Sequence, residues 1–129
     1  MNYCFSKRID GTTVAAIRPK VEAELKKEGF GVLAEIDVQA TMKARLNKDY
    51  LPHLILGACS PAYADKVISI EPTISTLLPC NVTLREVGDG SVEIAIINPR
   101  VALSVVGNSS LEVFAKEVEE QLERVLEGI

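Results

Sequence analysis

The sequence contains no tryptophan, its aromatic residues amount to 5%, and histidine occurs once, as His53. A single imidazole leaves only one candidate base of that kind. There is also no Gly-x-Ser-x-Gly elbow and no glycine-rich phosphate loop, so a classical hydrolase has little support and no catalytic motif is recognisable. Cysteine is scarce and unpaired in pattern: Cys4, Cys59 and Cys80 form an odd set with no C-x-x-C spacing. That excludes a disulfide framework or a structural zinc knuckle and fits reduced thiols in a cytoplasmic protein. No apolar run approaches the ~18 to 20 residues of a membrane span, and the first eight residues lack the apolar core of a signal peptide. Basic residues number 14 against 18 acidic ones, a net charge of −4, and they are dispersed. A nucleic-acid backbone binder needs a basic stripe, and none is visible.

What is present describes a globular chain. With 129 residues, 47% hydrophobic and 25% charged, residues 1–129 read as one domain able to bury its own core. Asn2 to Ile9 alternates as a first strand and ends at the turn pair Asp10-Gly11. Val14, Ile17, Val21 and Leu25 then recur at helical spacing, predicting a helix over Thr12 to Glu28, capped by Thr12 or Thr13, bent or restarted at Pro19 and ended by Gly29. Phe30 to Val38 alternates: Phe30, Val32, Ala34, Ile36 and Val38 form the expected core face, with Leu33, Glu35 and Asp37 opposite. Gln39 to Asn47 suits a short helix whose Lys43 and Arg45 are placed to answer those carboxylates. Leu51 to Cys59 is a strand with Leu54, Leu56 and Ala58 inward and His53, Ile55, Gly57 and Cys59 outward.

Ser60 and Pro61 supply an N-cap and a first-turn proline for a helix reaching Ile70, which places the Cys59 thiol just ahead of a helix N-terminus, where the backbone dipole favours a thiolate. Thr73 to Pro79 reads as a loop or short turn. Cys80 to Arg85 and Ser91 to Asn98 form a hairpin around Gly88-Asp89-Gly90, with Val92, Ile94 and Ile96 on one face. Arg100 to Gly107 reads as an apolar connector with room for a short strand, Ala102 to Val106. Ser109 and Glu112 make a capping box for a last amphipathic helix to Glu127.

The expected architecture is α+β: one antiparallel sheet with two long helices, Thr12 to Glu28 and Ser109 to Glu127, on a common face, because their apolar stripes need one floor. The other face bears Leu33, Ile55 and Ile97 among polar residues, which is too apolar to leave bare and predicts a homodimer. A competing reading gathers Cys59, Ser60, Cys80 and Asn81 with Glu35, Asp37, Lys43 and His53 into a thiol-redox or small-ligand site. Alternation there sets a thiol, an imidazole and two carboxylates on neighbouring strands. No metal is assigned to that site, since a soft thiolate centre recruits more than two sulfurs.

Five motifs in order, Glu28-Gly-Phe-Gly-Val-Leu-Ala-Glu-Ile-Asp37, Thr41-Met-Lys43, Leu54-Ile-Leu-Gly-Ala-Cys-Ser-Pro61, Glu71-Pro72 and Leu77-Leu-Pro-Cys-Asn-Val82, span most of the chain. Together they resemble a family of small bacterial and archaeal proteins, domain-of-unknown-function family three hundred and two. The resemblance implies a fold similar to that of the TATA-box-binding protein, in the order β-α-β-β-β-β-α. It implies no activity, cofactor or ligand. The chain departs from the family pattern at Ser60, where asparagine is usual, and at Ser75-Thr76, where isoleucine is commonly followed by glycine.

Overall fold

The structure is a computed structural model that describes residues 2–129. Five strands form one fully antiparallel sheet: β1 (Cys4–Asp10), β2 (Gly31–Asp37), β3 (His53–Cys59), β4 (Cys80–Glu86) and β5 (Ser91–Ile97), in the spatial order β1-β5-β4-β3-β2. The helices are α1 (Val14–Lys27), α2 (Val38–Leu46), α3 (Pro61–Ile70), α4 (Pro99–Ser104) and α5 (Glu112–Gly128). β1 and β2 are the two edges, so α1 carries the chain from one side of the sheet to the other.

The long helices form where the apolar spacing places them. α1 buries Val14, Ile17, Val21 and Leu25, and α5 buries Ala115, Val118, Leu122 and Val125. Both stripes join one core with Leu56, Val82, Leu84, Val92, Ile94 and Ile96 from the three central strands, so the two helices share a face as expected. The start of α1 is held twice. The Thr13 side chain accepts a hydrogen bond from the Ala16 N–H at 3.1 Å, and Glu86 of β4 accepts from the Val14 N–H at 3.0 Å. At its end, Gly29 takes a positive φ of 83°. The Phe30 N–H then reaches back to the Leu25 carbonyl at 2.9 Å and the Gly29 N–H to that of Lys26 at 3.0 Å, the paired bonds of a Schellman stop. Pro19 lies inside α1, which runs unbroken past it rather than restarting.

Four local expectations change. The stretch read as a connector with a strand at Ala102 to Val106 is helix α4: Asn98 accepts from the Arg100 N–H at 3.0 Å and Pro99 opens the helix, so the pair that ends β5 also starts a new element. Leu103 is that helix's buried contact. Thr73 to Pro79, read as a loop or short turn, is a regular 3-10 helix over Pro72–Leu77. The capping box at Ser109 and Glu112 does not form, because Asn108 takes the N-cap role one residue earlier, accepting from the Ser110 N–H at 2.9 Å. A 3-10 turn, Ser109–Leu111, then leads into α5.

The fourth change decides where the site lies. Val32 pairs with Ala58 but Ala34 pairs with Gly57, so Leu33 is an extra residue, a β-bulge. Because side-chain direction has a period of two, one inserted residue exchanges the faces of everything after it. Val32 points to the core as expected. Ala34 and Ile36, expected inward, register instead with Gly57 and Ile55 on the open face. Glu35 and Asp37, expected there, register with Leu56 and Leu54 on the helix side.

Candidate binding face

The helix-free face of the sheet carries three rows of side chains set by the strand register. Arg8, Glu93, Arg85 and His53 run across β1, β5, β4 and β3 near the hairpin end. The central row is Ser6, Ala95, Thr83, Ile55 and Ile36, across all five strands. Toward the other end come Cys4 and Ile97 from the β1–β5 pair, and Asn81, Gly57 and Ala34 from the other three strands. Ile36 is 51% exposed and Leu33 73%, while Ile55, Thr83, Ala95 and Ile97 are half-buried. α1, α3, α4 and α5 send their buried residues into the core beneath the opposite face, so this face is a broad apolar strip with a charged border.

At Gly57 the strip closes on itself. A Cβ placed there would lie 2.8 Å from Cγ of Pro79 and 3.3 Å from Cβ of Ala34. The proline ring and the alanine methyl therefore cover the glycine, and only a residue without a side chain admits that approach. In the charged row Arg85 Nε donates to Glu93 at 2.8 Å. His53 titrates below its ordinary value, first because it is partly buried and then because the Arg85 guanidinium disfavours a second positive charge beside it. The imidazole is thus neutral at pH 7.

Of the eight residues proposed from the sequence as one site, the face collects His53, Cys59 and Asn81. The others lie elsewhere. Glu35 is drawn to α1, where its carboxylate accepts a hydrogen bond from Arg18. Asp37 caps α2, accepting from the Ala40 N–H at 2.9 Å. Lys43 answers neither carboxylate and pairs with Asp49 at 3.0 Å. Ser60 occupies the N-cap position of α3, but its side chain makes no capping hydrogen bond. Cys80 pairs in register with Ala58 and points into the core, 6% exposed. The bulge at Leu33 and the inward direction of Cys80 together disperse the expected cluster. Among the described residues no three or more His, Cys, Asp or Glu side chains are placed to hold a metal ion.

Burial also decides the chemistry of Cys80. It pushes the thiol up to about 12, helped by the nearby Cys59, so at neutral pH Cys80 is a protonated core residue rather than a nucleophile. Tyr63, in the first turn of α3, is buried as well and its phenol is raised first by desolvation and then by Cys80. Among the described residues its hydroxyl has no hydrogen-bond partner. An unpaired buried hydroxyl carries a desolvation cost of about 1 to 3 kcal/mol. Tyr63→Phe removes only that group, so urea denaturation of the variant is expected to show a gain of about 1 kcal/mol, and a loss would mean the hydroxyl is bonded in solution.

Residues 5–129 match the model of the family described as Domain of unknown function DUF302. The crystal structure of an uncharacterised conserved DUF302 protein from Bacillus stearothermophilus is similar with a TM-score of 0.91, over 99% of this chain and 98% of that one, at 23% identity. At that identity the likeness is one of fold. An uncharacterised protein of Aquifex aeolicus (strain VF5) is 28% identical over 94 residues. That stretch is 73% of this chain and 59% of the relative, so the chain spans well under two thirds of the relative's length.

Proposed function

The chain belongs to the DUF302 family, and because that description carries no activity we propose a function from the geometry: a binding or accessory domain that pairs with a second copy of itself through the open face of its sheet. The observation that carries this reading is the central row, Ser6, Ala95, Thr83, Ile55 and Ile36, which crosses all five strands with Ser6 and Ile36 exposed and the three between them half-buried. A twofold axis through Thr83 sets Ile55 of one copy against Ala95 of the other and leaves the Arg85–Glu93 pair at the rim. Two sheets stacked face to face are the ordinary way such rows are buried.

The size of the face supports a dimer of modest strength. Five strands spaced about 4.8 Å, with seven residues rising about 3.3 Å each, make a face of roughly 24 by 23 Å. That is about 550 Å² per copy and about 1,100 Å² in total, at the low end for a specific interface, which corresponds to association in the micromolar range. Free Cys4, Cys59 and Cys80 support a reducing, cytoplasmic setting. The Glu93 carboxylate and the apolar row support a protein partner over a nucleic acid.

Sedimentation from about 1 to 100 µM is expected to show a species approaching twice 14.0 kDa as concentration rises. Ile55→Asp, at a half-buried surface position, is expected to weaken association at least tenfold while leaving the circular dichroism spectrum unchanged. A 14.0 kDa species throughout, or a dimer indifferent to Ile55→Asp, would sink the proposal.

A further inference from the structure

A cavity of about 640 Å³ lies away from the sheet face, between α4 and the N-terminal half of α5. Its apolar lining includes Leu103, Leu111 and Ala115, each buried. Among the polar residues that line the same space are Asn98, Arg100 and Glu119. Asn98 is only 8% exposed, and its Oδ1 is taken by the Arg100 N–H at 3.0 Å, which leaves the Nδ2 donors for the cavity. Glu119 has a side chain only 16% exposed, and its one ion-pair partner, Arg100 Nη1, stands 3.7 Å away, beyond hydrogen-bond length. Arg100 itself is more than half exposed at the mouth. The Glu119 carboxylate therefore keeps acceptor capacity on the side that faces the cavity.

We propose that this cavity binds a small zwitterion, an α-amino acid with an aliphatic side chain. The Glu119 carboxylate receives the ammonium group, Arg100 and the Nδ2 of Asn98 donate to the carboxylate, and the hydrocarbon rests on Leu103, Leu111 and Ala115. The geometry points to this class for two reasons. Arg100 Nη1 and Glu119 Oε1 stand side by side 3.7 Å apart, close to the spacing of ammonium and carboxylate within one α-amino acid, so a ligand lying alongside the pair sets its ammonium at Glu119 and its carboxylate at Arg100. The cavity is also of the size of small-molecule sites, about 300 to 1,000 Å³, with an apolar floor under a polar and charged rim. Glu112 lies at the same cavity and adds a second negative charge, which disfavours a plain carboxylic acid. This site is separate from the sheet face, so it stands or falls independently of self-association.

The test is a titration of the full chain, followed by amide NMR shifts, with three probes of one shape: L-leucine, 3-methylbutylamine, which lacks the carboxylate, and 4-methylpentanoate, which lacks the ammonium. Leucine is expected to shift resonances of α4 and α5, and each half-ligand to bind at least tenfold more weakly, the usual effect of losing a charge-assisted hydrogen bond. Glu119→Gln is expected to weaken leucine at least tenfold while leaving 4-methylpentanoate no weaker than before. Arg100→Ala, at a side chain more than half exposed, is expected to erase the preference for leucine over the amine while leaving the circular dichroism spectrum unchanged. Shifts confined to other elements, no shifts with millimolar leucine, equal affinity for leucine and the amine, or leucine binding unchanged in both variants would each overturn the proposal.

Discussion

Raising the pH from 8.5 to about 10.5 is expected to destabilise the protein by roughly 2 kcal/mol more than it destabilises Cys80→Ala. The thiol of Cys80 has an ordinary value of 9.0 and is held at about 12 in the fold by burial and by the nearby Cys59. An acid whose folded value is raised ionises first in the unfolded chain. Its full contribution is therefore present below pH 9 and is lost as the pH climbs from 9 toward 12, where it reaches about 4 kcal/mol for three units. Tyr63 is raised by the same burial, but it titrates in both proteins and largely cancels in the difference. Urea denaturation at fixed pH values measures the effect. Parallel pH curves for the two proteins would show that Cys80 is hydrated in solution and would reopen its role as a reactive thiol.

Gly57→Val is expected to cost about 3 kcal/mol, the upper part of the range for forcing extra carbon into a packed site. The contact at stake is 2.8 Å to a proline ring tied into the backbone, which moves less readily than the tip of a flexible side chain. The cause is specific, so a second substitution should relieve it. In a Pro79→Ala background the same glycine change is expected to cost at least 1 kcal/mol less, because the offending Cγ is gone. Equal costs in both backgrounds would mean that β3 shifts as a whole and that Pro79 does not define the covered end of the face. Were the strip of Ile36, Ile55 and Ala95 an interface, the Gly57 change would also weaken self-association by displacing its Pro79 border.

Much of this fold was legible as pattern. Leu54, Leu56 and Ala58 alternate with His53, Ile55 and Gly57, and each points as that alternation says. The stripes of α1 and α5 were equally plain, since seven of the eight helix residues buried there are aliphatic at three- and four-residue spacing and the eighth is an alanine. The family was legible as well, because its motifs are contiguous strings that need no structure to be read. The site was less so. Glu35 and Asp37 look identical in sequence whether or not the strand is bulged, and only the partner strand, by pairing Ala34 with Gly57, reveals the added residue. Cys59 and Cys80 each lie within two residues of a proline, yet one is half-exposed at the end of β3 and the other is buried in the core.

By itself the sequence determined which segments are periodic, where α1 and the strands begin and end to within about two residues, and that two helical stripes require one apolar floor. These are consequences of local geometry, 3.6 residues per turn and two per pleat, which a chain carries in the order of its residues. The tertiary structure decided the face on which Glu35 and Ile36 lie, the protonated state of Cys80, the helical fate of Pro99 to Ser104 and the meeting of Arg100 with Glu119 across 19 positions. Each of these depends on what stands opposite: a partner strand fixes register, surrounding apolar atoms fix a pKa, and a neighbouring helix fixes whether an apolar run is covered. No neighbour in sequence supplies that information, because strand partners and packed helices are distant along the chain.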